Sequence, residues 1–125
     1  MNIPANLRYT QDHEWVKLDG NIATVGITDF AQSQLGDIVF VDIQTEGEHM
    51  DAGEVFGAIE AVKTVADALM PLSGTIVEVN PELEGAPQLV NHKPYEQGWM
   101  IKIELDNPAD FEALLSPEAY AALTA

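Results

Sequence analysis

The run Trp99-Met100-Ile101-Lys102-Ile103-Glu104-Leu105 constrains the fold of this chain most tightly. Trp99, Ile101, Ile103 and Leu105 alternate with Lys102 and Glu104, and a period of two places the apolar set on one face of an extended strand. A single strand cannot stand alone, because its outward N–H and C=O groups need partners. The rest of the sequence must therefore supply more strands.

It does so in short pieces. His13 to Leu18 is a β-type run around Trp15 and Val16, Asp19-Gly20 supplies a turn, and Ile22 to Ile27 follows with Ala23, Val25 and Ile27 on one face. Ile38 to Ile43 is apolar and β-branched, which predicts a strand buried on both faces or nearly so. Glu46-Gly47-Glu48 and Asp51-Ala52-Gly53-Glu54 read as turns around a very short strand, and Thr75 to Asn80 as another strand. Helices are few. Thr28 is an N-cap with Asp29 in the first turn and Gly36 at the far end, predicting one short helix over Asp29–Leu35. Asn107-Pro108 opens a helix carrying Phe111, Leu114 and Leu115, and Ser116-Pro117 opens a last one ending near Leu123. Pro81 to Pro87 reads as loop with a helical turn, and Val90 to Gly98 as irregular. Short strands with glycine turns and helices at the end predict a small β-sandwich or barrel, a single domain of residues 1–125.

One stretch resists this reading. In Ala58-Ile59-Glu60-Ala61-Val62-Lys63-Thr64-Val65-Ala66-Asp67, Ile59, Val62, Ala66 and Leu69 fall at helical spacing opposite Glu60, Lys63, Thr64 and Asp67. Alanine is plentiful and Pro71 could end a helix there. Local periodicity alone predicts an amphipathic helix with Lys63 exposed.

Charge narrows the partners. Five Lys and Arg face 21 Asp and Glu among 125 residues, a formal net charge of −16 with neutral histidines. Nucleic-acid binding is excluded, since a phosphate backbone needs a basic patch that releases its counterions. Electrostatic docking on anionic lipid is excluded for the same reason. Partners with basic surfaces are favoured, with fast and salt-sensitive encounters. There is no cysteine, hence no disulfide framework, thiol nucleophile or thiolate metal site. Met1-Asn2-Ile3-Pro4 does not read as a signal or transit peptide, and no apolar run approaches the ~20 residues of a membrane span. The expected location is cytoplasmic.

No active site emerges. His13, His49 and His92 share no metal-ligand spacing and read as hydrogen-bonded or solvated surface side chains. There is no nucleophile elbow, phosphate loop or dinucleotide fingerprint. Lys63, alone among uncharged and acidic neighbours, is either a solvated side chain or an amine to which something is attached.

Several segments decide between these. Gly57-Ala58-Ile59-Glu60-Ala61-Val62-Lys63 followed by Pro71-Leu72-Ser73-Gly74-Thr75-Ile76-Val77-Glu78-Val79-Asn80 resembles the lipoyl-attachment region of glycine cleavage system H proteins. So, in the same order along the chain, do Arg8-Tyr9-Thr10, Asp12-His13-Glu14-Trp15-Val16, Ala23 to Asp29, Leu35 to Val41 and Pro94 to Ile103. The resemblance implies a mainly β, lipoyl/biotinyl-type barrel-sandwich hybrid, with a short helix in the N-terminal half and helices at the C-terminus. It also replaces the helix at 58–69 with two strands joined by a tight turn that carries Lys63 at its tip.

The resemblance implies a role as well: a monomeric carrier rather than an enzyme, with lipoic acid in amide linkage to Lys63. Glu60 and Gly74 would serve recognition by the lipoyl or octanoyl transferase or lipoate ligase that installs the arm, though Gly74 also suits the tight return of its strand. Glu14 and Asp67 match acidic positions near the resting place of the loaded arm. The implied partners are glycine decarboxylase (P protein), a tetrahydrofolate-dependent aminomethyltransferase (T protein) and dihydrolipoyl dehydrogenase (L protein). Ala61 and Ala66 stand where the family often has serine. Two rival readings remain in view. A lipoyl domain of a 2-oxo-acid dehydrogenase or a biotin carrier would carry Asp-Lys-Ala or Met-Lys-Met where this chain has Val62-Lys63-Thr64, and would lack the segment around His13-Glu14-Trp15. An unmodified interaction module would have no need of Lys63 and Glu60.

Overall fold

A computed structural model describes residues 2–125; Met1, the first residue of the N-terminal stretch read above, lies outside them. The chain runs β1 (Arg8–Tyr9), β2 (Glu14–Asp19), β3 (Ile22–Ile27), α1 (Asp29–Leu35), β4 (Ile38–Asp42), β5 (His49–Met50), β6 (Val55–Ala61), β7 (Val65–Leu69), β8 (Gly74–Val79), α2 (Glu82–Gly85), α3 (Leu89–His92), β9 (Ile101–Leu105), a 3-10 helix (Pro108–Ala113) and α4 (Pro117–Thr124). The strands form two antiparallel sheets, one in the order β1-β2-β3-β9-β8-β5 and one in the order β4-β6-β7. This is the mainly β barrel-sandwich that the resemblance implied.

The alternating run sits centrally. β9 pairs with β3 on one side and β8 on the other, so Ile101, Ile103 and Leu105 point into the core beside Val25, Ile76 and Val16. Phe56 and Ile59 reach the same cluster from the second sheet. Each such side chain stabilises the fold by about 1.5–3 kcal/mol on burial. Trp99 departs from the expected alternation. It is only half-buried, and its ring carries the Lys102 ammonium 5.1 Å from the centroid. Met100 takes the fully buried place instead, its N–H donating to the Val25 carbonyl at 2.8 Å.

Three other expectations change. β4 is not buried on both faces: Val39 is 54% and Phe40 42% exposed, and the strand is bulged between Ile38 and Phe40, which breaks the alternation there. The residues after Asn107-Pro108 form a 3-10 helix that stops at Ala113, and Leu115 pairs with Tyr9 as a β-bridge. The 90–98 stretch contains part of α3, whose Val90 is fully buried. α1 forms as expected, with the Thr28 hydroxyl oxygen accepting the Ala31 N–H at 3.2 Å.

A second apolar cluster joins Leu7, Tyr9 and Trp15 to Tyr120 of α4. The Tyr9 and Tyr120 rings stack at 4.6 Å, the Trp15 indole N–H donates to the Pro94 carbonyl, and the Tyr9 hydroxyl donates to the Pro4 carbonyl. The C-terminal helix is thereby fixed over the end of the larger sheet. Among the described residues, no helix is long and apolar enough to cross a membrane.

Candidate functional site

The segment of disputed structure is a β-hairpin. Glu60 of β6 lies opposite Val65 of β7, and the Ala61 N–H donates to the Thr64 carbonyl at 2.8 Å, leaving Val62 and Lys63 as the turn. The Val62 N–H donates to the Asp37 carbonyl at 2.9 Å, which ties the tip to the loop between α1 and β4. The Lys63 stem lies over Gly36: a Cβ there would stand 3.3 Å from the lysine Cε. Gly36 also has φ +78, a backbone conformation glycine adopts without steric cost. Among the described residues the ion pairs engage Arg8, His49 and Lys102, so the exposed Lys63 amine has no carboxylate partner. An unpaired primary amine at the end of a narrow hairpin is open to acylation by an enzyme that need not disturb the fold.

Beside the hairpin, between α1 and β7, runs a cleft of about 350 Å³. Leu35 lines it near Gly36, Phe30 and Ala31 continue along the helix, and Ile59 and Ala68 belong to the smaller sheet below. His13, Glu14 and Asp67 also line it. The seven residues of α1 span about 10 Å, a length that an acylated lysine side chain covers.

Glu14 is 4% exposed. The Thr10 hydroxyl donates to its Oε1 at 2.6 Å and itself accepts the Glu14 and Asp12 amide hydrogens, each at 3.2 Å. Burial pushes the Glu14 carboxyl up to about 7, against the opposing pull of the Thr10 hydrogen bond. Asp67 is exposed at the cleft margin. His13 has φ +67, uncommon outside glycine, so β2 starts at Glu14 rather than at His13 as its sequence suggested. Its ring rests 4.7 Å from that of Phe30, and burial lowers its pKa despite the nearby Asp12 carboxylate.

Residues 7–125 match the family model described as Glycine cleavage H-protein. The chain belongs to the glycine cleavage H-protein family. It is 62% identical over 125 residues to the glycine cleavage system H protein of Chlorobaculum tepidum and 58% identical over 123 residues to that of Bacteroides fragilis, covering 98% of both chains in each comparison. Its fold superposes on the crystal structure of the glycine cleavage system H protein from Mycobacterium marinum with a TM-score of 0.88 at 38% identity, again over 98% of each chain.

In this H-protein chain the sequence-derived residues fall into three places. Lys63 is at the tip. Glu60 is partly buried on β6, three residues before it and opposite Phe40 of β4. Glu14 and Asp67, 53 positions apart in sequence, come together at one cleft. Gly74 sits apart from these, buried where β8 meets β9. A Cβ there would overlap the Glu104 carbonyl and the Ile103 side chain, a packing reason for glycine at that position. Sequence reasoning passed over His13, Thr10 and Tyr120 as parts of the site. The only early signal was that His13 adjoins Glu14, and nothing in the sequence tied either to a tyrosine near the C-terminus.

Proposed function

We propose that this protein is the lipoylated carrier of a glycine cleavage system, with lipoic acid in amide linkage to Lys63. The observation that carries the reading is the free, exposed lysine amine at the hairpin tip, inside the 7–125 stretch that matches the H-protein family and beside a cleft ending in carboxylates. The amide would use the lysine nitrogen and the carboxyl group of the acid, and would remove the lysine charge.

The lipoyl dithiolane supplies the redox and group-carrying chemistry. The protein supplies position. Lys63 holds the arm where it can enter the glycine decarboxylase, the aminomethyltransferase and the dihydrolipoyl dehydrogenase in turn, as well as the enzyme that installs it. Glu60, three residues ahead, is the proposed recognition feature for that installing enzyme, with Gly74 shaping the return strand. The protein catalyses no step itself in this reading, works as a monomeric cytoplasmic domain, and needs no nucleic acid or membrane.

The cleft would shelter the loaded arm between turnovers. An aminomethyl group on sulfur ends in an ammonium, and Glu14 and Asp67 line the cleft as its counter-charges by charge-assisted hydrogen bonding. An empty cleft leaves Glu14 partly protonated near neutrality, so seating a cation would draw its carboxyl back to the ionised form. The test is reconstitution with the partner enzymes. Lys63→Arg should fold normally and support no glycine-dependent carbon dioxide exchange, since a guanidinium forms no lipoyl amide. Exchange at the wild-type rate would sink the assignment.

A further inference from the structure

The lining of the cleft includes a group that the carboxylate account does not use. The His13 ring is held from behind by a chain of hydrogen bonds: Nδ1 meets the Tyr120 hydroxyl at 2.9 Å, and that hydroxyl meets Thr28 Oγ1 at 2.6 Å. Thr28 Oγ1 already accepts the Ala31 N–H as the N-cap of α1. The Thr28 backbone N–H also donates to the His13 carbonyl at 3.0 Å, so one residue holds both the main chain and, through Tyr120, the ring.

The direction of the protons in this chain is decided by burial. Thr28 is fully buried, and its hydroxyl hydrogen needs an acceptor. Among the described residues the one hydrogen-bonded to that oxygen and able to accept is Tyr120. Thr28 therefore donates to Tyr120, Tyr120 donates its single hydrogen to His13 Nδ1, and Nδ1 is an acceptor. In neutral imidazole the proton then lies on Nε2, which has no partner among the described residues. Protonating Nδ1 would reverse the chain. Tyr120 would have to donate to Thr28, and the Thr28 hydrogen would be buried with no acceptor.

We infer that Tyr120 is a positioning residue that locks His13 in the neutral Nε2–H form, so that the cleft is kept free of an internal cation and remains open to a primary ammonium carried on the arm. The groups around His13 make the lock necessary. Asp12 and Glu14 flank it in sequence, Asp67 shares the cleft from β7, and the α1 residues that line the cleft, Phe30, Ala31, Gln34 and Leu35, are all uncharged. The Asp12 carboxylate would otherwise favour an imidazolium, which would sit in the cleft as the cation and repel the incoming one. Burial works in the same direction, lowering the His13 pKa. This inference rests on the arm-docking reading given above.

The test has two arms. In the unlipoylated full-length protein, nitrogen-15 spectra of the His13 ring at about pH 7 should show an unprotonated Nδ1 and a protonated Nε2, and Tyr120→Phe should raise the His13 pKa toward the ordinary range. A protonated Nδ1 in the parent overturns the inference outright. In the second arm the protein is lipoylated and loaded, and spontaneous ammonia release is followed at about pH 6 and pH 8, on either side of the ordinary histidine pKa. Tyr120→Phe keeps the ring stacked on Tyr9, so the fold should hold; release should accelerate several-fold at the lower pH and change little at the higher. His13→Asn, whose short side chain tolerates the left-handed backbone and cannot charge, should restore slow release in the Tyr120→Phe background. Failure of that rescue would mark the Tyr120 effect as merely structural and end the inference. If Tyr120→Phe leaves release unchanged while Glu14→Gln accelerates it, the cleft stands and the His13 lock falls. If neither variant changes release, the docking reading fails and takes the lock with it.

Discussion

The hairpin tip and the cleft both adjoin α1's C-terminal end and are built on opposite principles. At the tip, Val62 is 75% exposed, Lys63 has no ion-pair partner, and two backbone hydrogen bonds define the turn. In the cleft, Glu14 is buried under Thr10, and His13 is tied through Tyr120 to Thr28 and through its carbonyl to the Thr28 amide. The tip costs little to alter because almost nothing packs on it. The cleft is a network in which one lost partner leaves a buried polar group unpaired. The difference teaches how a carrier divides its work: the point of attachment must be reachable by several enzymes, whereas the point of shelter must be rigid and selective.

Truncation sharpens the contrast most. Tyr120→Ala removes a fully buried ring stacked on Tyr9 together with the hydroxyl joining His13 to Thr28, and should cost about 3–5 kcal/mol of stability in denaturant titration. A loss below about 1 kcal/mol would mean that the C-terminal helix is not holding the cleft. The next effect depends on pH. The folded Glu14 carboxyl titrates near 7 against an ordinary 4.5, so the folded state holds the extra proton between those values and stability falls as pH rises through that window. The penalty is fully present above about pH 7 and amounts at most to something on the order of 3 kcal/mol. Glu14→Gln should flatten this dependence, and its melting temperature should overtake the parent's as pH rises from 5 to 8. Parallel pH profiles for the two proteins would contradict the burial account. At the tip the expected effect is smallest: Lys63→Arg should stay within about 0.5 kcal/mol of the parent, and a larger loss would show that the lysine stem contributes packing on Gly36.

How much of this was legible in the sequence follows from the range of the interactions. α1 was readable because Thr28, Asp29 and Gly36 carry their signals within one short segment. β9 was readable from its alternation, apart from Trp99, which lies before the strand and is half-buried beside Lys102. The hairpin was not readable from periodicity, since Ile59, Val62, Ala66 and Leu69 fit a helix. In the folded chain Ile59 is buried and Val62 exposed because β6 pairs with β4 and β7, a choice made by distant residues; only the family resemblance supplied it. The same long range hid the exposed side chains of β4, where a bulge opposite β6 breaks the alternation. For the site, Lys63, Glu14 and Asp67 came from motif matches. His13 escaped because its partner Tyr120 is 107 residues away and its left-handed backbone has no sequence signature.

The central claim is that the exposed tip, and no other lysine, is the point of attachment. Peptide mass mapping of protein purified from its own host tests it most directly. The account predicts one lipoyl-sized increment, confined to the peptide that contains Lys63. An increment on Lys17, Lys93 or Lys102, with Lys63 unmodified, would contradict it.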